Sequence, residues 1–254
     1  CKDKKQKSDV FIAKFNHDLK TLQAATLIGG SGMEGASSIK VDNNGYVFIA
    51  GYTESSDFPT TESAFDTSYN GGKRDAFLIK LDGKLKTLLA STFFGGSENE
   101  ARASGPEIEI DKDGNIFIAG ETGSEDFPIT AGVYDETYND NRDIYIAKFN
   151  NELTTLLAST YLGGKDRDYT QVSIALSHDE EHLCIAGCTV SQDFPTTPDA
   201  YQRQIYPDRS GKTFISKLDV NLRNLSASTF LAGSFAMAYS LALDKEGNVF
   251  VGGH

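Results

Sequence analysis

Three stretches of this chain set oxygen-bearing side chains at regular intervals: "GYTESSDFPTT" at 51–61, "GETGSEDFPIT" at 120–130 and "GCTVSQDFPTT" at 187–197. Thr53, Ser55 and Asp57 are spaced two apart, and so are Thr122, Ser124 and Asp126, and Thr189, Ser191 and Asp193. Side chains two apart leave an extended segment on one side, so the oxygens of one copy can converge on a cation. A single carboxylate per copy is thin for Ca²⁺, which takes about six to eight oxygens. The same residue types also bond to nearby backbone where a chain turns, with Phe58 filling an apolar gap and Pro59 fixing the backbone. That second reading is preferred, and it makes the phrase a clamp on the exit from a strand. Beyond each proline, "TESAF", "TAGVY" and "TPDAY" put a threonine ahead of a possible helical turn. A short surface helix is expected there, capped by the threonine and anchored by Phe65, Tyr134 and Tyr201.

Other spacings carry weaker chemistry. "DKDGN" at 111–115 starts like a Ca²⁺ loop, but "IFIAG" stands where the bidentate glutamate belongs, and a glycine-bearing hairpin turn is expected instead. His178 and His182 of "HDEEH" are four apart, a Zn²⁺ spacing on a helix, yet they bridge two strand patterns and read as a polar turn. Cys184 and Cys188 would lie roughly 13 Å apart in a strand, beyond disulfide reach. Both are expected as free thiols, with Cys184 an apolar filler where the sister repeats carry Phe48, Phe117 and Phe250. There is no G-x-S-x-G, P-loop or paired-carboxylate motif, so no catalytic residue, metal or cofactor is assigned.

The elements that position these residues recur. "DVFIAKF" at 9, "DAFLIKL" at 75, "DIYIAKF" at 143 and "KTFISKL" at 212 lie 66, 68 and 69 residues apart. Each leads through "AATLIGG", "ASTFFGG", "ASTYLGG" or "ASTFLAG" to Gly30, Gly96, Gly164 or Gly233, and then to a hairpin such as "IKVDNNGYVFIAG". Each period therefore holds four short strands. "YVFIAG" and "FLIKL" are apolar on both faces except for Lys80, matched by Lys14, Lys148 and Lys217, so their sheet needs cover on both sides. Tandem sheets packed face to face around an axis supply it. A parallel β-helix needs shorter coils, and a sandwich would not repeat its sequence. "SHDEEH" at 177–182 replaces the Asp-x-x-Gly turn of the other copies and predicts a longer or differently bent hairpin, while "AGSFAMAYS" of the fourth copy lacks the glycine pair.

Together, "DAFLIKL", "LLASTFFGG" and "IEIDKDGNIFIAGETGSEDFPIT" resemble the SBBP-type repeat, the seven-bladed β-propeller repeat family of bacterial extracytoplasmic proteins, over nearly everything after residue 8. The resemblance implies that "IKVD" is the inner strand of a blade, followed outward by "YVFIAG", "DAFLIKL" and "LLASTFF", and it implies no catalytic residues. The expected fold is all-β: a β-propeller of four-stranded antiparallel blades over 9–254, with repeat units near 9–74, 75–142, 143–211 and 212–254. The chain would open with outer strands (9–28) and close with inner ones (240–253), so a ring sealed by pairing of the N- and C-terminal strands is expected, with part of a larger ring as the alternative.

At 39% hydrophobic and 24% charged the chain is too apolar to be disordered, and no run of about 18 apolar residues marks a membrane span. A net charge of -12 argues against nucleic acid. Cys1, followed by "KDKKQKSD", looks like the start of a mature lipoprotein; residues 1–8 would be a tether, Cys1 the lipid attachment, and the location periplasmic or cell-surface at the outer membrane. The links between successive repeats differ most, and they define a candidate partner-binding face: Glu98, Glu100, Arg102, Lys165, Asp166, Arg167, Asp168 and Tyr169, with Phe235, Met237 and Tyr239 on another blade. Mixed charge beside an apolar, Met-bearing patch suits a protein partner. The expected function is a non-catalytic binding or scaffold module of an envelope assembly; the alternative is a carbohydrate-binding module or glycan-active enzyme with its site at the axial opening.

Overall fold

A computed structural model describes residues 7–101, 104–205, 210–231 and 236–254, with backbone alone for 169–171. Cys1, Arg102 and Phe235, and the side chain of Tyr169, lie outside the described residues. The order is β1 (Val10–Phe15), β2 (Leu22–Ile28), β3 (Glu34–Val41), β4 (Val47–Thr53), β5 (Asp75–Leu81), β6 (Leu88–Phe94), β7 (Glu107–Ile110) and β8 (Ile116–Thr122). It continues with β9 (Asp143–Phe149), β10 (Leu156–Leu162), β11 (Asp168–Leu176), β12 (His182–Thr189), β13 (Lys212–Asp219), β14 (Leu225–Leu231), β15 (Ala238–Leu243) and β16 (Val249–Gly253). Three four-stranded antiparallel sheets result: sheet A (β3–β6), sheet B (β7–β10) and sheet C (β11–β14), each in sequence order. Among the described residues no helix is long and apolar enough to cross a membrane.

The period-2 pattern decides how the sheets stack. On β4 and β5, Ile49 and Ile79 point to one side and join a core with Val10, Ile12 and Phe93. Phe48 and Leu78 point to the other and join Ile116, Ile118 and Tyr145 of sheet B. Sheet B repeats this toward sheet C through Ile144, Ile146, Ile185 and Phe214. Each central strand is therefore covered on both sides, as its sequence requires, and every Phe or Ile so buried contributes about 1.5–3 kcal/mol. Lysine ties neighbouring units at the β5–β6 and β9–β10 turns: Lys14 Nζ donates to the Gly83 carbonyl at 3.0 Å, and Lys80 Nζ donates to the carbonyl of Asn151 at 3.3 Å and to its side chain. The stem of Lys80 stays apolar, with its ammonium 4.7 Å from the Tyr46 ring centre.

Two expectations are corrected. The terminal strands do not pair: β1–β2 and β15–β16 stand as separate two-stranded sheets. Among the described residues no hydrogen bonds join β16 to β1, and Phe11 and Phe250, which apolar cover by a neighbouring strand pair would hide, stay 76% and 60% exposed. The expected surface helices are absent too. Ala64 N–H reaches Thr61 O and Ala200 N–H reaches Thr197 O, one turn each, because the chain then leaves to pair with the neighbouring strand, as Phe93 N–H does with Asp66 O. Phe65 still anchors, edge-on to Phe94 and Phe149, and Tyr134 packs on the sheet B–sheet C core. Tyr201, at 83% exposed, does not anchor.

The "SHDEEH" hairpin is one residue longer than its sisters: Ser177 N–H bonds to His182 O, where Asp42 bonds to Tyr46. Cys184 and Cys188 are buried free thiols, and Cys184 fills the place of Phe48 and Phe117. Phe94 lies among Phe65, Phe127, Tyr145 and Phe149 at the junction of sheets A and B. Phe94→Ala is expected to lower the unfolding free energy by about 3–5 kcal/mol, against about 1 kcal/mol or less for Phe250→Ala, measured by denaturant unfolding.

Candidate functional site

The link from β6 to β7 is held by the repeated phrase. Ser97 donates both N–H and Oγ–H to Asp126 Oδ1, at 2.8 and 3.0 Å, and Glu98 N–H donates to Ser124 Oγ at 2.9 Å. Glu100 Oε1 accepts Thr122 Oγ1–H at 2.9 Å and Ser124 Oγ–H at 2.7 Å. The same clamp stands at Ser31, Gly32 and Glu34 and at Lys165, Asp166 and Asp168. The aspartate of the phrase is exposed, and the bonds from Ser31 hold Asp57 below the usual carboxylate range. Its phenylalanine stacks on the next strand, Phe58 on Phe77 at 4.6 Å and Phe127 on Tyr145 at 4.4 Å. The phrase is thus a clamp, with its oxygens committed to chain neighbours.

Both glycines of each Gly-Gly pair are explained by this crowding. A Cβ on Gly96 would lie 2.5 Å from Ser124 Cβ and 2.6 Å from Asp126 Oδ1. On Gly95 it would lie 2.6 Å from Glu100 Oε2 and 3.1 Å from Asp75 Oδ1. Asp75 starts the third strand of sheet A, and Glu100 precedes sheet B. The pair is wholly buried, Asp75 at 0% and Glu100 at 0% exposed. Burial pushes Asp75 up to about 7 against the bond from Asn70 N–H, and Glu100 up to about 8 against those from Ser124 and Thr122. Asp143 and Asp168 repeat the arrangement around Gly163; burial raises Asp143 to about 7 and Asp168 well above the usual range.

On the solvent side of these clamps lies a polar cleft of about 420 Å³, lined by Glu98, Asn99, Gly123, Asn141, Arg142 and Arg167. Asn141 in its lining and Asp140 before it are both left-handed, at φ 69° and 71°, a conformation Asp and Asn tolerate. Arg142 reaches Glu121 Oε1 at 3.2 Å. Of the residues expected to face a partner, Glu98, Asp166 and Arg167 are exposed, and Glu98 and Arg167 share this cleft. Glu100 and Asp168 are corrections, turned inward by the hydroxyls they accept. Their burial also closes the acid pairs to a sugar. Met237 and Tyr239 lie apart, just before and on β15, where the Tyr239 ring stands 5.1 Å from His254.

Three further features bear on chemistry. Asp111 Oδ1 accepts Asp113 and Asn115 N–H while Oδ2 meets Lys148 Nζ at 3.1 Å, so "DKDGN" is a hairpin turn. Asp179, Glu181 and His182 bring ligand atoms within 4.8 Å of one another, without His178; Asp179 is already engaged by Ser177 Oγ and Glu181 N–H. An apolar groove of about 600 Å³ lies beside Ile215, Leu225 and Val249 and is lined by the "TPDAY" stretch from Thr197 to Tyr201. No family model matches the chain, and no curated protein matches it. Gly96→Ala is expected to cost about 2 kcal/mol or more by breaking the clamp, while Gly252→Ala, where a Cβ meets nothing within 4 Å, leaves thermal unfolding close to unchanged.

Proposed function

We propose that the three sheets are blades of an SBBP-type propeller, and that the protein is a non-catalytic binding or scaffold module of the bacterial cell envelope. The propeller reading is supported by contacts between the first strands of successive sheets. Ser37 Oγ donates to Pro106 O at 2.6 Å, Lys40 Nζ meets Glu109 at 2.6 Å, and Leu241 N–H reaches Ser173 Oγ at 3.1 Å. First strands that meet in this way are what a hub would require, with each sheet's last strand on the rim.

The observation that carries the binding reading is the alternation along the links. Glu100 and Asp168 are locked inside, and Glu98 and Arg167, two and one residues before them, are left in solvent on a backbone that cannot shift. A preorganised surface loses little entropy on binding, and its mixed charge favours a partner with complementary charges. Sequence differences among the links then change the surface without disturbing the sheets.

A photo-crosslinker at position 166, in the protein expressed in a bacterial envelope, is expected to capture one protein species. Arg167→Glu together with Glu98→Lys should reduce that capture by roughly tenfold, while Lys86→Glu on the β5–β6 turn leaves it intact. Equal capture by all three proteins, or capture of only abundant bystanders, contradicts the proposal.

A further inference from the structure

The two buried acid pairs pose a problem of charge. Asp75 Oδ1 makes no hydrogen bond, and Glu100 Oε2 has none beyond a weak approach of Gly96 N–H. Asp143 Oδ1 is likewise unpartnered, and Asp168 Oδ1 has only an approach of the Thr189 hydroxyl. All four side chains are 0% exposed. Two adjacent carboxylates out of water cannot both stay ionised without a neutralising ligand. The arginines that precede the two aspartates in sequence pair with other acids: Arg74 with Glu54 at 3.0 Å, and Arg142 with Glu121.

The repeats themselves show that the acids act as a unit. In the fourth copy Lys212 stands where the others have Asp9, Asp75 and Asp143, and by strand register Ala236 stands where they have Glu34, Glu100 and Asp168. Ala232 there replaces the first glycine of the pair. Aspartate, facing acid and the glycine that makes room for them change together, as expected of residues that share one ligand. That ligand has two free oxygens to bind. Two oxygens are too few for a hard cation, with about six to eight needed for Ca²⁺, and they match a single hydrogen.

We propose that Asp75 with Glu100, and Asp143 with Asp168, each hold one proton in common, the aspartate's Oδ1–H donating to the facing carboxylate, so that the joints between successive sheets are proton-binding sites that loosen as the medium turns alkaline. In the first pair one hydrogen satisfies both orphaned oxygens, Asp75 Oδ1 and Glu100 Oε2, which meet at Gly95; in the second it satisfies Asp143 Oδ1 against the Asp168 Oδ2 that lies with it at Gly163, and each pair is left with a single charge. The other titratable neighbours of the first pair are Asp66 and Tyr69 from the β4–β5 segment, Glu54 after β4, and Tyr145 of β9. Those of the second are Asp135, Tyr138 and Asp140 before β9, and Tyr161 of β10. The acids among them add negative charge and favour the shared proton; the tyrosines stay neutral, held above their usual range by burial.

The sign follows. Each pair keeps its one shared proton in the folded chain at a pH where the unfolded chain has lost it, so the pair's contribution is complete below about pH 4. It is lost as pH rises through the range to which burial lifts the pair, about 7 to 8 for Asp75 with Glu100 and about 7 upward for Asp143 with Asp168. Glu107, raised by burial, adds to this slope. Asp57, Asp82, Asp179 and Asp244, all lowered by hydrogen bonds, act oppositely and only below their ordinary range.

The test is the melting temperature of the full chain between pH 5 and pH 9, with and without Ca²⁺ or Mg²⁺, for the wild type and Asp75→Asn with Asp143→Asn. An asparagine offers an N–H where the shared proton would be. The wild type should lose melting temperature steadily across this range, and the double variant should lose markedly less and be the more stable at pH 9. Infrared spectra of the wild type alone should show protonated carboxyl at pH 7 that shifts in D₂O and fades by pH 9, a readout that survives if the variant does not fold. No such carboxyl signal, or an unchanged slope in a folded double variant, overturns the proposal. So does a divalent cation that raises the wild-type melting temperature at pH 8 and not the variant's, which would make the pairs a metal site.

Discussion

The structure depends on one constraint: a sheet apolar on both faces must have a neighbour on each side, and the chain must pass between neighbours in a few residues. Glu34, Glu100 and Asp168 solve the crossing. Each accepts serine hydroxyl from the strand exit of the sheet it enters, and the first two accept threonine as well. The link is thereby bonded on both flanks before the apolar faces meet. A polar clamp at the crossing costs little, because every hydroxyl it buries has a partner.

Packing then builds on this register. Alternate residues of β4, β8 and β9 send Ile to one junction and Phe or Tyr to the other, β5 sends Phe77 and Ile79 to one and Leu78 to the other, and the phenylalanine of the repeated phrase closes each junction by stacking on the next strand. The lysines at the β5–β6 and β9–β10 turns and the first-strand contacts at the opposite side bracket the apolar layer. Stability is therefore distributed over equivalent junctions, as in other repeat architectures. The exposed aromatic residues of β1 and β16 show what a junction face looks like when no neighbour covers it.

Much of this was legible beforehand because tandem repetition exposes a pattern four times. Strand positions, hairpin turns, the buried thiols and the clamp role of the phrase all follow from period and residue type. The short helices were not legible correctly: threonine, proline and aspartate at 197–199 satisfy the local rules for a helix start, but pairing of the segment with β14, as Phe230 N–H to Gln202 O, overrides them. The inward turn of Glu100 was missed as well. Charge and variability suggested a surface residue, while the hydroxyls that draw it in lie 22 and 24 residues away. The acid pairs were readable only by comparing Asp75 with Lys212 and Glu100 with Ala236 across copies, a comparison of positions that differ rather than of motifs that match.

The central claim is that the links are structural members as rigid as the strands they join. Amide hydrogen exchange at Ser97, Glu98, Lys165 and Asp166 tests it most directly, since these groups lie in irregular, solvent-facing segments and bond only to Asp126, Ser124, Asp193 and Ser191. The account predicts protection of at least roughly a hundredfold over free peptide, approaching that of the flanking strands. Exchange at the rate of an unbonded loop would contradict it.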